Sequence, residues 1–112
     1  MSKQTPESAL LRLVLDYLAA ERIFAIRMNT GAVKTENRFF RFGVPGMADV
    51  LAFKQPEACD YPYSHQIVIW LELKAGRGVQ SELQRSFQIQ VTDQGHRYAV
   101  IHSLEELKEA LK

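Results

Sequence analysis

Three charged residues, Asp49, Glu72 and Lys74, stand where charge is costly. Glu72 and Lys74 close the most apolar run of the chain, Ile67-Val68-Ile69-Trp70-Leu71, and Asp49 follows the chain break Gly43-Val44-Pro45-Gly46. An isolated buried charge is strongly unfavourable, so charged side chains at the end of a buried strand are expected to have partners. Residues two apart on a strand project from one face about 6–7 Å apart, which puts Glu72 beside Lys74. If the Asp49 strand pairs with the Glu72 strand, the two carboxylates can share one hard cation. Mg²⁺ takes few protein ligands and keeps several waters, so two carboxylates and a backbone carbonyl suffice, with Leu73 as the natural carbonyl donor. That group suits metal-dependent phosphodiester hydrolysis, in which the cation polarises the phosphate and acidifies a water. Lys74 then holds the attacking water or balances charge on the phosphate oxygens. The competing reading is an Asp49–Lys74 or Glu72–Lys74 ion pair at a strand end, without catalysis.

The elements that must position these groups are legible in the pattern. Thr5 reads as an N-cap with Pro6 at the first helical position. The helix it opens runs to about Ala20, with Leu10, Leu11, Val14, Leu15 and Leu18 as its buried stripe. Glu7 lies on that stripe one turn earlier, where the positive helix end favours a carboxylate. Ile23 to Met28 predicts a strand, Asn29-Thr30-Gly31 a turn, Arg38 to Phe42 a second strand, and Asp49 to Phe53 a third. The span from Gln55 to Gln66 predicts a connecting loop. On the central strand, Ile67 to Lys74, apolar residues occupy both faces, which implies cover on both sides of the sheet. Ala75-Gly76-Arg77-Gly78 predicts a flexible loop, and Ser81-Glu82-Leu83-Gln84 a capping box opening a helix with Leu83, Phe87 and Val91 on its apolar stripe. Gly95 ends that helix. Tyr98 to Ile101 predicts a last strand, and Ser103 caps a last helix carrying Leu104, Leu107 and Leu111. The expectation is an α/β fold, a mixed sheet between helices.

Bulk properties set the frame. A chain of 112 residues supports one core, and its hydrophobic (46%) and charged (24%) fractions match an ordinary globular domain spanning 1–112. There is no apolar run of membrane-spanning length and no signal-peptide pattern at the start. The lone Cys59 excludes an internal disulfide framework. A soluble protein of a reducing compartment, the cytoplasm or a host-cell interior, is the expectation. The net charge of +1 does not itself predict nucleic-acid binding. Its distribution is more telling. From Arg27 to Lys54 lie Arg27, Lys34, Arg38, Arg41 and Lys54 against two acids, Glu36 and Asp49. That band suits phosphate binding, although solvated loops can look the same.

Asp49, followed after 22 residues by Glu72-Leu73-Lys74, resembles the PD-(D/E)xK nuclease signature. More narrowly, the whole chain resembles the VRR-NUC family, the virus-type replication-repair nucleases. The resemblance is carried by Glu7, Arg27-Met28-Asn29, Gly46-Met47-Ala48-Asp49-Val50, Glu72-Leu73-Lys74-Ala75-Gly76-Arg77-Gly78, Gln84 with Phe87, and Gly95 before Tyr98-Ala99-Val100. It implies a restriction-endonuclease-like αβββαβ core and hydrolysis of DNA phosphodiesters with Mg²⁺, for which Mn²⁺ substitutes. It implies Asp49 and Glu72 as metal ligands, Lys74 as the catalytic lysine, Glu7 as an acid completing the metal environment through water, and Gln84 as a glutamine packed beside the site. Stand-alone members of this family act as homodimers on branched DNA such as four-way (Holliday) junctions. The signature proline before the aspartate is here Ala48; that proline constrains backbone and ligates nothing.

Each remaining candidate has a plainer account. Gln84 is equally explained by its place in the capping box, and Gln88 lies one turn further on. Arg27, Asn29 and Arg77 are placed to reach phosphates, as are Lys34, Arg38 and Arg41, or to be solvated. His65, His96 and His102 lack metal-ligand spacing and read as surface or loop histidines. The aromatics Phe39, Phe40, Phe42, Tyr61 and Tyr63 are candidate contact surfaces. Two alternatives compete with junction cleavage: a nuclease of the same fold acting on flaps, nicks or single strands, and a non-catalytic DNA-binding or assembly protein.

Overall fold

The first helix, α1 (Pro6–Ala20), begins where its orphan amides find side-chain acceptors. Thr5 Oγ1 accepts from the Ser8 amide at 3.0 Å, and Ser8 Oγ accepts from the Thr5 amide at 2.9 Å. This is a capping box with serine in place of the usual Glu or Gln. The computed structural model describes residues 5–28, 31–34, 39–54 and 67–112, and for 31–34 and 39–42 the backbone. The other elements are β1 (Phe24–Arg27), β2 (Gly31–Lys34), β3 (Phe39–Phe42), β4 (Val50–Lys54), β5 (Ile67–Leu73), α2 (Glu82–Asp93), β6 (Arg97–Ile101) and α3 (Leu104–Ala110).

Four strands form one mixed sheet in the order β1-β4-β5-β6. The β1/β4 and β4/β5 pairs are antiparallel and β5/β6 is parallel. The parallel pair needs a crossover, and α2 supplies it. β2 and β3 pair only with each other, Gly31 opposite Phe42 and Lys34 opposite Phe39. This corrects two expectations. Gly31, expected in a turn, opens a strand, and Phe39–Phe42 belongs to a separate ladder. Gly31-Ala32-Val33-Lys34 is too short and too weakly patterned to announce itself; only its cross-strand partner makes it a strand. Asn29, Thr30 and the 55–66 loop lie outside the described residues. With the β2–β3 ladder set aside, the chain runs α, β, β, β, α, β, and α3 follows.

Helices pack on both faces of the sheet, the second of which is covered only over its β5–β6 side. On one, Leu10, Val14 and Leu18 of α1 and Leu107 of α3, with Leu111 just beyond it, meet Val50, Ala52, Ile69, Leu71, Leu73 and Ile101. Trp70 alternates with these residues and points to the other face. There its ring meets Phe87 of α2 edge-on at 5.0 Å, and Phe87 in turn packs near Tyr98. Leu83, expected on the buried stripe of α2, is instead 59% exposed. The first turn of α2 is given over to polar contacts with the site, described next.

Candidate metal centre

Asp49 is built into the end of β4 from three sides. Val44-Pro45-Gly46-Met47 forms a tight turn closed by the Met47 amide donating to the Val44 carbonyl at 2.9 Å, with Gly46 at φ +81°. Proline before a glycine of positive φ is the pattern of a type II turn. A side chain on Gly46 has no room: an added Cβ would lie 2.3 Å from the Leu83 carbonyl oxygen. The turn therefore lies directly against the first turn of α2. Ala48, just before Asp49, is fully buried. The Asp49 carbonyl then accepts from the Met28 amide at 2.7 Å, and its carboxylate Oδ2 accepts from the Leu73 amide at 2.7 Å. The side chain thus continues the β4/β5 ladder one step beyond its last backbone pair, Val50 with Leu71, and stands level with Glu72. A residue's amide and carbonyl leave a strand on the same side. The Leu73 carbonyl, the expected third donor, therefore faces the Asp49 edge too.

Glu72 is 1% exposed, the one charged residue buried among those described. Its Oε1 accepts from Gln84 Nε2 at 2.6 Å and pairs with Lys74 Nζ at 3.6 Å. Its Oε2 is buried without a partner. Burial pushes the Glu72 carboxyl up to about 7, the Asp49 charge adds to the shift, Lys74 opposes it, and Glu7 contributes a smaller increment. A buried carboxylate oxygen with no donor, on a group that also feels the charge of a second carboxylate, is the environment that a divalent cation relieves. The donor set fits Mg²⁺: Asp49, Glu72 and the Leu73 carbonyl, all hard oxygens. Among the described residues no cluster of three or more His, Cys, Asp or Glu side chains is present, so Glu7 does not join the two carboxylates as a direct third ligand. It lies instead across a cleft of about 300 Å³ that Arg27, Asp49 and Leu73 also line. Glu7 thus shares the cleft with Asp49, while Glu72 is not among its lining residues.

Gln84 resolves the choice between cap and site by doing both. Its Oε1 accepts from the Ser81 amide at 2.8 Å, which closes the capping box. With the oxygen fixed there, the amide nitrogen must face Glu72. Gln88 turns elsewhere: its Oε1 accepts from Gln80 Nε2 at 2.9 Å, and Gln80 also donates to the Tyr98 hydroxyl at 3.0 Å. Burial raises the Tyr98 hydroxyl to about 12.

The basic candidates divide. Arg27 lines the cleft and Arg77 is exposed at the tip of the turn after β5. Lys34 and Arg41 fall on the β2–β3 ladder, while Asn29, Arg38, Tyr61, Tyr63 and His65 lie outside the described residues. Lys54 Nζ donates to the Leu111 carbonyl at the end of α3, a structural role at the negative helix end. Sequence reasoning missed His102, read as a surface histidine. Its Nδ1 lies 3.1 Å from the Glu106 carboxylate and its Nε2 lies 2.9 Å from the Gly78 carbonyl. The i, i+4 spacing of His102 and Glu106 was a usable signal; nothing in the sequence pointed to Gly78, or to the Gln80–Tyr98 contact. Comparison with protein-family models, curated proteins and solved structures finds no match to this chain.

Proposed function

We propose that the protein is a Mg²⁺-dependent, structure-specific DNA endonuclease of PD-(D/E)xK type, resembling the VRR-NUC family and acting on branched DNA such as four-way junctions. The observation that carries this reading is the buried, unpartnered Oε2 of Glu72, a residue level with Asp49 whose other oxygen, Oε1, pairs with Lys74. The α, β, β, β, α, β order around it agrees with the core that such nucleases share. When bound, Mg²⁺ supplies phosphate polarisation and a more acidic attacking water. The chain's own groups do the rest. The Leu73 amide orients Asp49, and Gln84 fixes Glu72 through Oε1, leaving Oε2 for the cation. Lys74, 18% exposed, offers its ammonium to a water or a phosphate oxygen at the mouth of the site. Arg27 at the cleft, with Lys34 and Arg41 on the ladder between β1 and β4, supplies phosphate contacts that position the duplex without reading sequence.

The reading includes a homodimer, since two sites cut the two strands of a junction and an isologous pair suits its two-fold symmetry. The surface we assign to it is the β1–β4 face left open beside α2, where Phe24 is 66% exposed and Ile26 and Phe53 are each 40% exposed.

Incubation with labelled junction, flap and linear duplex DNA tests the proposal. Junction cleavage with Mg²⁺ or Mn²⁺, none with chelator, and none by folded Asp49→Ala or Lys74→Ala is the expected pattern. Cleavage kept by both variants refutes it. A second reading, a non-catalytic DNA-binding protein, draws on the fact that both carboxylates already accept hydrogen bonds. It predicts chelator-insensitive binding without cleavage.

A further inference from the structure

Among the described residues, one side chain hydrogen-bonds to the turn behind Lys74. Gly76, at φ +57°, and Arg77 form its tip, and the Gly78 amide donates to the Ala75 carbonyl at 3.0 Å. Gly78 lies on the stem of Lys74: a Cβ built there would sit 3.4 Å from Lys74 Cβ and 3.5 Å from Cδ. The position of this turn therefore bears on where the lysine ammonium points. From the other side, the Gly78 carbonyl faces His102 Nε2 at 2.9 Å, while Nδ1 faces both Glu106 oxygens at 3.1 Å. A carbonyl and a carboxylate can only accept. A neutral imidazole has one N–H, so either tautomer leaves a lone pair against an acceptor. Only the imidazolium donates to both.

We infer that His102 is a positioning residue for Lys74: as an imidazolium it ties the Ala75–Gly78 turn to α3 and so holds the lysine ammonium toward Glu72. Among the described residues, Glu106 of α3 is the charged group that faces the ring, and the turn presents the Gly78 carbonyl. Both contacts raise the His102 proton affinity above its ordinary value, the Gly78 carbonyl most. The tie is accordingly present below the ordinary histidine range and is lost as pH rises through the raised value. Cleavage is then expected to decline on the alkaline side as His102 loses its proton, a limb set outside the metal ligands.

This inference rests on the nuclease reading for its effect on rate, but the tie itself is testable without cleavage. In an NMR pH titration, the His102 ring, the Gly78 amide and the Lys74 side-chain signals are expected to move with one midpoint, above that of a free histidine. Glu106→Gln should lower the midpoint of all three together, and His102→Ala should abolish the titration of Gly78 and Lys74. In cleavage assays kcat, not KM, should fall about tenfold above that midpoint, the scale of a slightly misplaced catalytic group. Glu106→Gln should shift that limb to lower pH. Gly78 and Lys74 signals indifferent to His102, or an alkaline limb unchanged in both variants, overturn the inference. If the three signals titrate together but wild-type protein cuts no DNA, the tie stands and the nuclease reading falls.

Discussion

At the residue scale, the account turns on one buried carboxyl. Glu72 holds its proton more tightly in the folded protein than its ordinary value of 4.5 would allow, up to about 7. A native state that binds the extra proton loses stability as pH climbs from the lower value to the higher, then levels off. Over that range the loss is on the order of 3 kcal/mol. Glu72→Gln removes this dependence. Its melting temperature at pH 8 should exceed that of the wild type, while phosphodiesterase activity disappears; calorimetry and a cleavage assay read the two effects. Gln84 provides the sharper contrast. Glu at that position satisfies the capping box as well as Gln does, yet it would set a second carboxylate where Nε2 now donates to Glu72 at 2.6 Å. Gln84→Glu should keep α2 helical and lose about tenfold or more in Mg²⁺-dependent activity, as expected for repelling charges at a metal site. Equal activity in Gln84→Glu and wild type would leave Gln84 only its capping role.

At the scale of elements, the site is an accident of no single strand; it is where a turn, two strand ends and a helix start are forced together. The Val44–Met47 turn sets Asp49 and touches α2 through Gly46, so it couples the two sides of the site. Gly46→Ala meets both a positive φ and a backbone oxygen 2.3 Å from the new carbon. Stability should fall by about 2 kcal/mol or more, read by denaturant titration. Activity should fall with it, because the carbonyl in the way belongs to the residue before Gln84. Much of this arrangement was legible beforehand. The period of Leu10, Val14 and Leu18, the alternation of Ile69, Leu71 and Leu73, and the caps at Thr5, Ser81 and Ser103 each name an element by local physics, and the structure has all of them. Of the β2–β3 ladder, β3 was legible as the predicted strand from Arg38 to Phe42, but β2 was not, because Gly31–Lys34 is a strand only through its pairing with β3. Nor was the exposure of Leu83, whose helical spacing suits a core that the first turn of α2 does not reach. In the site, spacing alone joined Glu72 to Lys74. The links of Asp49 to the Leu73 amide and of His102 to Gly78, each 24 residues apart, follow only from the register of folded strands.

At the scale of the whole molecule, no helix among the described residues is long and apolar enough to cross a membrane. The net charge is only +1, so attraction to DNA must come from where the cations sit. The open β1–β4 face makes a separate claim. Phe24→Asp with Phe53→Asp should convert a dimer to monomer in sedimentation analysis, and cleavage of a junction should pass from paired cuts to single nicks. Unchanged sedimentation would place the contact elsewhere. The central claim, that Asp49 and Glu72 share a divalent cation, is met most directly by Mn²⁺ titration of the DNA-free protein, with bound metal read by electron paramagnetic resonance. The account predicts one site per chain in the wild type, weakened below neutral pH as Glu72 takes up its proton, and lost in Asp49→Asn and in Glu72→Gln. A site retained in both variants, or none in the wild type at pH 8, contradicts it.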